Sequence, residues 1–124
     1  MRVSADRKTI LIKRPSDMHV HFRDGPVMHA VAPLTARQFG QALVMPNLKP
    51  KPVTTVAAAN AYRERIRLSL PKPLADFVPR MTLYLTDDTP PDEVHRAYRK
   101  DNKMGQRAVE AMKMYPAGAT TNSE

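Results

Sequence analysis

The sequence contains no cysteine. That excludes disulfides and thiolate metal ligands, so any metal has to be held by histidine, carboxylate or a less usual group. It has no long uncharged apolar run either, and Arg2, Asp6, Arg7 and Lys8 stand where a secretory signal would carry its hydrophobic segment. Neither a membrane span nor an export signal is expected, and the chain reads as cytoplasmic. Acidic residues are few: 12 Asp and Glu against 20 Lys and Arg give a net charge of +8, a balance that suits nucleic acid or an anionic metabolite. Aromatic residues make up only 6%. Arg63, Arg65 and Arg67 are interrupted by Glu64 and lack an aromatic platform or a recognised nucleic-acid module, so a solvated helix face is the favoured reading for them. What remains is ordinary for one soluble globular domain: 124 residues, 42% hydrophobic and 26% charged.

The most informative stretch is Asp17-Met18-His19-Val20-His21-Phe22-Arg23-Asp24. On an extended strand, side chains alternate between faces, so His19, His21 and Arg23 should project to one side and Met18, Val20 and Phe22 to the other. The first side could line a polar pocket while the second packs on helices. Two neutral imidazoles on one strand can reach a single zinc ion while a neighbouring guanidinium fixes an anionic substrate. The plainer alternative is a pair of hydrogen-bonded or surface histidines.

Along the chain, Thr9 to Lys13 suggests a short lead-in strand stopped by Pro15, and a strand over roughly Asp17 to Phe22 follows. Asp24, Gly25 and Pro26 supply a cap, a turn and a preset first helical position, so a helix should begin near Val27, with Pro33 kinking or interrupting it. Val27, Ala30, Val31 and Leu34 would face the core and leave His29 on another face. The run Gln41 to Pro46 reads as a parallel strand covered on both faces. Thr54 or Thr55 should cap a helix ending at Pro71, with Ala59, Tyr62, Ile66 and Leu70 as its buried stripe. Phe77 to Thr86 reads as a third strand, and Thr89 to Glu93 as a helix start that carries Val94, Ala97 and Tyr98 inward and leaves His95 solvated. A polar loop over Lys100 to Gln106 and a fourth strand over about Val109 to Tyr115 complete the pattern. Alternating elements of this kind specify an α/β fold of about four parallel strands with three helices. Ligand groups in such sheets gather at the carboxyl ends of the strands, where His21, Arg23, Asn47, Thr86 to Asp88 and Lys113 occur.

His19-Val20-His21-Phe22-Arg23-Asp24-Gly25, Val44-Met45-Pro46-Asn47-Leu48, Pro52-Val53-Thr54-Thr55, Ala61-Tyr62-Arg63, Met81 to Asp87 and Lys113-Met114-Tyr115-Pro116-Ala117-Gly118-Ala119-Thr120-Thr121-Asn122-Ser123 together cover nearly the whole chain. In this order they resemble the shorter homodimeric bacterial type of dihydroorotase, within the amidohydrolase superfamily. The resemblance implies the N-terminal half of a (β/α)8 barrel, a fold of about 250 residues, with residues 1–124 as a partial barrel domain. It implies a zinc hydrolase that interconverts carbamoyl aspartate and dihydroorotate in pyrimidine synthesis. By motif position, His19 and His21 ligate the more buried of two zinc ions, Lys113 is carboxylated by CO2 and bridges both, and Arg23 and Asn47 bind the substrate carboxylate. A lysine ammonium would repel two zinc ions, and its carbamate would not.

The later zinc-binding histidines and the aspartate that handles the proton in the family have no counterpart up to Glu124, so Asp87 and Asp88 are not assigned to those roles. With three ligands the chain is expected to hold at most one zinc well and to be inactive alone. Its open sheet edge would call for a covering partner. The segment from His95 to Ala111 and the loop from Lys49 to Pro52 look longer than in the family. The rival reading is a non-catalytic remnant or interaction module that binds anions or nucleic acid.

Overall fold

The computed structural model of the chain describes residues 2–3 and 8–99. The fourth strand, the loop before it and Lys113 lie outside these residues. Strand β1 (Arg2–Val3) pairs antiparallel with β2 (Ile10–Leu11), which gives the lead-in strand a partner. The body of the fold is a parallel sheet in the order β3-β4-β5, built from β3 (Ser16–Val20), β4 (Gln41–Val44) and β5 (Val78–Met81). Helix α1 (Gly25–Gln38) joins β3 to β4, and α2 (Val56–Ser69) with a short 3-10 turn (Lys72–Leu74) joins β4 to β5. Helix α3 (Pro91–Tyr98) follows β5. Strand, helix and parallel strand repeat as the sequence pattern requires. No helix among the described residues is long and apolar enough to cross a membrane.

One core lies between the helices and the sheet face that carries Ala42, Val44, Pro79 and Met81, all buried. Phe22 enters it just after β3 and meets Phe77 edge to face, ring centroids 6.3 Å apart. Tyr62, Phe22, Met28, Ile66 and Val44 are the largest fully buried side chains, each contributing about 1.5–3 kcal/mol through apolar burial. Helix α2 behaves as its period dictates. Thr55 accepts a hydrogen bond from the Ala58 amide at 3.1 Å, and Val56, Ala59, Tyr62 and Ile66 form the buried stripe, with Leu70 packed beside it.

Several elements depart from the sequence reading for identifiable reasons. Helix α1 starts two residues early because the Asp24 carboxylate caps the Gly25 amide directly. It also runs unbroken through Pro33. The hydrogen bond that proline removes would have ended on the carbonyl of His29, and His29 is exposed, so water can reach that side of the helix. The buried face of α1 is Met28, Ala32 and Ala36, whereas Val27 and Leu34 are 52% and 53% exposed. Apolar residues stand at helical spacing on both faces, and the alanines win because small side chains let the helix lie close to the sheet. Ala32→Leu is therefore expected to lose about 2 kcal/mol through overpacking and Leu34→Ala less than about 0.5 kcal/mol, measured as urea midpoints.

Strand β4 is covered on one face only, with Gln41 and Leu43 half-buried. Strand β5 stops at Met81 rather than Thr86. Beyond it, the Thr82 hydroxyl donates to the Val44 carbonyl at 2.7 Å and the Tyr84 amide to the Val53 carbonyl at 2.8 Å, so the extended chain binds the loop before α2 instead of continuing a ladder. In α3, Val94 and Tyr98 are exposed and Ala97 is partly buried, while Glu93 turns inward at 7% exposure. On the face of the sheet opposite the core, a polar string crosses all three strands. Gln41 donates through Nε2 to the Ser16 hydroxyl at 2.7 Å and accepts at Oε1 from Arg80 Nε at 2.7 Å.

Candidate metal centre

The carboxyl ends of β3 and β4 are joined by a hydrogen bond from the Met45 amide to the Val20 carbonyl at 2.9 Å. His19 and His21 flank Val20 at this rim. The pairing with β4 shifts register between Asp17 and Val20, placing one more residue on β3 than on β4, and the Asp17 carboxylate accepts from the His19 amide at 3.0 Å. The regular alternation expected from sequence is therefore interrupted between Asp17 and Val20, where the strand ends. The outcome for the two imidazoles is nevertheless a close pair: Nε2 of His19 lies 3.1 Å from Nε2 of His21, with ring centroids 5.1 Å apart and both rings exposed.

Zinc bonds to imidazole at about 2.0–2.1 Å, so two donor nitrogens closer together than twice that length can bind one ion together. The pair fits a metal in this respect. Among the described residues no group of three His, Cys, Asp or Glu side chains that could hold a metal is present, and Lys113 lies outside them. What the rim offers among the described residues is a pair of imidazoles spaced closely enough to share one ion.

Arg23 does not continue the strand. Its φ is +63°, the left-handed region that a residue with a Cβ rarely enters, and Gly25 follows at +58°. Arg23 lines a cleft of about 360 Å³ with Asp24, Leu48 and Lys49. Asn47, exposed, stands three residues beyond the end of β4, as Arg23 stands three beyond β3. Both come to the same rim, on loops that follow adjacent parallel strands. His29 and His95 are exposed on their helices, as expected.

The supporting residues were not evident in the sequence. Asp24, besides capping α1, receives Nε and Nη2 of Arg65 from α2 at 3.0 and 2.7 Å. That guanidinium is the main reason the Asp24 carboxyl sits below the usual carboxylate range; partial burial opposes it, and the Gly25 amide assists. The Tyr62 hydroxyl donates to the Arg23 carbonyl at 2.6 Å, and burial, with the charge of Asp24 adding to it, pushes its pKa up to about 12. Arg65 also lies over the Tyr62 ring, 5.3 Å from its centroid. The Tyr62–Arg23 and Arg65–Asp24 pairs have no local sequence signal, because their partners are 39 and 41 positions apart.

Because the folded pKa of Asp24 is depressed, its contribution to stability is present above the unfolded value of about 3.9 and is lost as pH falls through the folded value. The pair is largely exposed, so the effect should stay under about 1 kcal/mol. Asparagine also caps helices, so Asp24→Asn isolates the ion pair. Urea midpoints of the two chains should differ at pH 7 and converge as pH falls through the depressed folded value.

No protein-family model matches the chain. It is 55% identical over 116 residues, 94% of its length, to the dihydroorotase of Variovorax paradoxus (strain S110), of which it covers 31%. The chain is homologous to dihydroorotases. A crystal structure of dihydroorotase from Campylobacter jejuni superposes with a TM-score of 0.63 at 35% identity, over 72% of this chain and 25% of that one. A dihydroorotase from Saccharomyces cerevisiae, in complex with 5-fluoroorotic acid, superposes with a TM-score of 0.58 at 34% identity, over 67% of this chain and 22% of that one. The chain thus spans about a third of the length of the curated dihydroorotases it matches. Its parallel sheet and helices have the fold of a partial (β/α)8-type barrel, superposing on a quarter of the Campylobacter jejuni chain.

Proposed function

We propose that this polypeptide is the amino-terminal portion of a cytoplasmic, zinc-dependent dihydroorotase that interconverts carbamoyl aspartate and dihydroorotate for pyrimidine synthesis. The observation that carries the reading is the His19–His21 pair, 3.1 Å between Nε2 atoms, at the carboxyl rim of a parallel sheet, where barrel enzymes place their chemistry. His19 and His21 would hold a zinc ion, and Lys113, carboxylated by CO2, would supply an anionic ligand to it. Bound zinc supplies a Lewis acid that polarises the ring amide and lowers the pKa of water. Arg23 and Asn47 bind the carboxylate and so orient the ring against the metal rim, the guanidinium through charge-assisted hydrogen bonds. The ring carboxylate carried by 5-fluoroorotic acid in the yeast neighbour is a ligand of this chemical class.

β3 and β5 are the edges of the three-stranded sheet among the described residues. In the full enzyme further barrel strands cover them, and the assembled barrel is a homodimer. The test is to load the 124-residue chain with zinc, measure metal content and titrate it with orotate by calorimetry. Zinc retention and orotate binding that chelator removes are expected, and dihydroorotate should not be turned over, because the remaining ligands and the proton-handling aspartate have no match here. Chelator-sensitive turnover by this chain would overturn the expectation of inactivity. Failure to retain zinc, with salt-dependent binding to duplex DNA in its place, would overturn the enzymatic reading.

A further inference from the structure

The turn after β3 holds two left-handed residues within three positions: Arg23 at φ +63° and Gly25 at φ +58°, with an extended Asp24 between them. Glycine enters this region readily, whereas arginine does so where its surroundings impose it, and such outliers gather where a site has to be shaped. Here the surroundings are specific. Tyr62, fully buried in the core, reaches out of α2 with its hydroxyl to take the Arg23 carbonyl at 2.6 Å. The next residue, Asp24, is gripped by Arg65 one helical turn further along α2, and the Arg65 guanidinium rests on the Tyr62 ring. Two side chains on one helix face therefore seize two consecutive residues of the turn, one by its backbone and one by its carboxylate.

The direction of a side chain follows from the backbone dihedrals at its Cα, so a different φ at residue 23 would aim the guanidinium away from the cleft it shares with Leu48 and Lys49. We propose that Tyr62 is a positioning residue for Arg23: its hydroxyl holds the Arg23 carbonyl, and with it the left-handed backbone that presents the guanidinium to a substrate carboxylate. This rests on the carboxylate-binding role given to Arg23 above. Tyr62 is buried in the core and donates to the backbone of the turn. It acts through one hydrogen bond, which Tyr62→Phe removes while leaving the ring in the core.

The test compares the zinc-loaded chain with Tyr62→Phe, Arg23→Ala and the double variant, reading zinc content and orotate affinity by calorimetry. Tyr62→Phe is expected to retain zinc and to bind orotate about tenfold more weakly, the effect of one lost hydrogen bond. With alanine at position 23 the same change should have no further effect on affinity. A second measurement needs no ligand. Arg23→Gly relieves the left-handed strain and should raise the urea midpoint by about 0.5 M when residue 62 is tyrosine, and by clearly less when it is phenylalanine and the turn is free to relax. Unchanged orotate affinity in Tyr62→Phe, where Arg23→Ala weakens it, would overturn the proposal. So would an equal loss with alanine at 23, or an Arg23→Gly gain independent of residue 62. Orotate affinity indifferent to Arg23→Ala would instead remove the carboxylate-binding reading, and the positioning role with it.

Discussion

Alanine at either His19 or His21 is expected to weaken zinc binding on the order of a hundredfold, and alanine at both to abolish stoichiometric zinc in the purified chain. The estimate follows from four-ligand zinc sites, where roughly 10–16 kcal/mol is shared among the ligands, or about 3 kcal/mol for each. Two imidazoles 3.1 Å apart would chelate a bound ion, so removing one nitrogen would lose both its own bond and the pre-arranged geometry of the other. The chain has four histidines, and His29 and His95, exposed on α1 and α3, supply the internal controls. Their alanine variants should retain the full metal content. Metal analysis after dialysis, with competition against a chromogenic chelator, reads both quantities. Equal zinc loss across all four single variants would show adventitious histidine binding and remove the case for an ion shared by His19 and His21.

The largest stability effect is expected at Glu93. Its carboxylate is buried, accepts from the Val56 amide at 2.6 Å through Oε1 and from Arg96 at 2.9 Å through Oε2. Val56 opens α2, and the first turn of α2 has no acidic residue of its own. Thr55 satisfies the Ala58 amide, and Glu93, brought in from α3, satisfies an earlier one and sets a negative charge against the positive end of the helix. Glu93→Ala leaves that amide buried beside a cavity and should destabilise the chain by about 2–3 kcal/mol. In a domain of this size that lowers the melting temperature by roughly 10 °C or more. Glu93→Gln keeps an acceptor and loses the charge, so about 1 kcal/mol is expected. Thermal melts by circular dichroism should rank wild type above Gln above Ala. A loss below about 0.5 kcal/mol in Glu93→Ala would show that water replaces the carboxylate.

Glu93 also shows why parts of the molecule were not legible in the sequence. An acid in the first turn of a helix is a local signal, and Asp92 and Glu93 mark the start of α3 in the sequence. Asp92 is exposed, and Glu93 serves another helix altogether. The same limit hid the grip of Tyr62 and Arg65 on the turn after β3, although Tyr62 was correctly assigned to the buried stripe. Period-two alternation put the two imidazoles on one side and was right about the result. It does not extend to Arg23, which lies beyond the end of β3 and has a positive φ. The stripe of α2 was legible because large apolar residues occupy one face and charges the other. That of α1 was not, because alanines carry the packing and bulkier residues point outward. β5 is shorter than its apolar run because pairing needs a neighbour, and β4 ends at Val44.

The string of Ser16, Gln41 and Arg80 bears on the rim at the far end of the same strands. Strands of four or five residues have little apolar pattern with which to fix their alignment, and a slide by two positions would leave every side chain on its proper face. Such a slide would move the histidine pair about 6.6 Å along the sheet relative to Asn47. Only one alignment lets the amide of Gln41 reach a hydroxyl on one side and a guanidinium on the other. This string thus acts as a vernier, setting the relative height at which the histidine pair and Asn47 emerge.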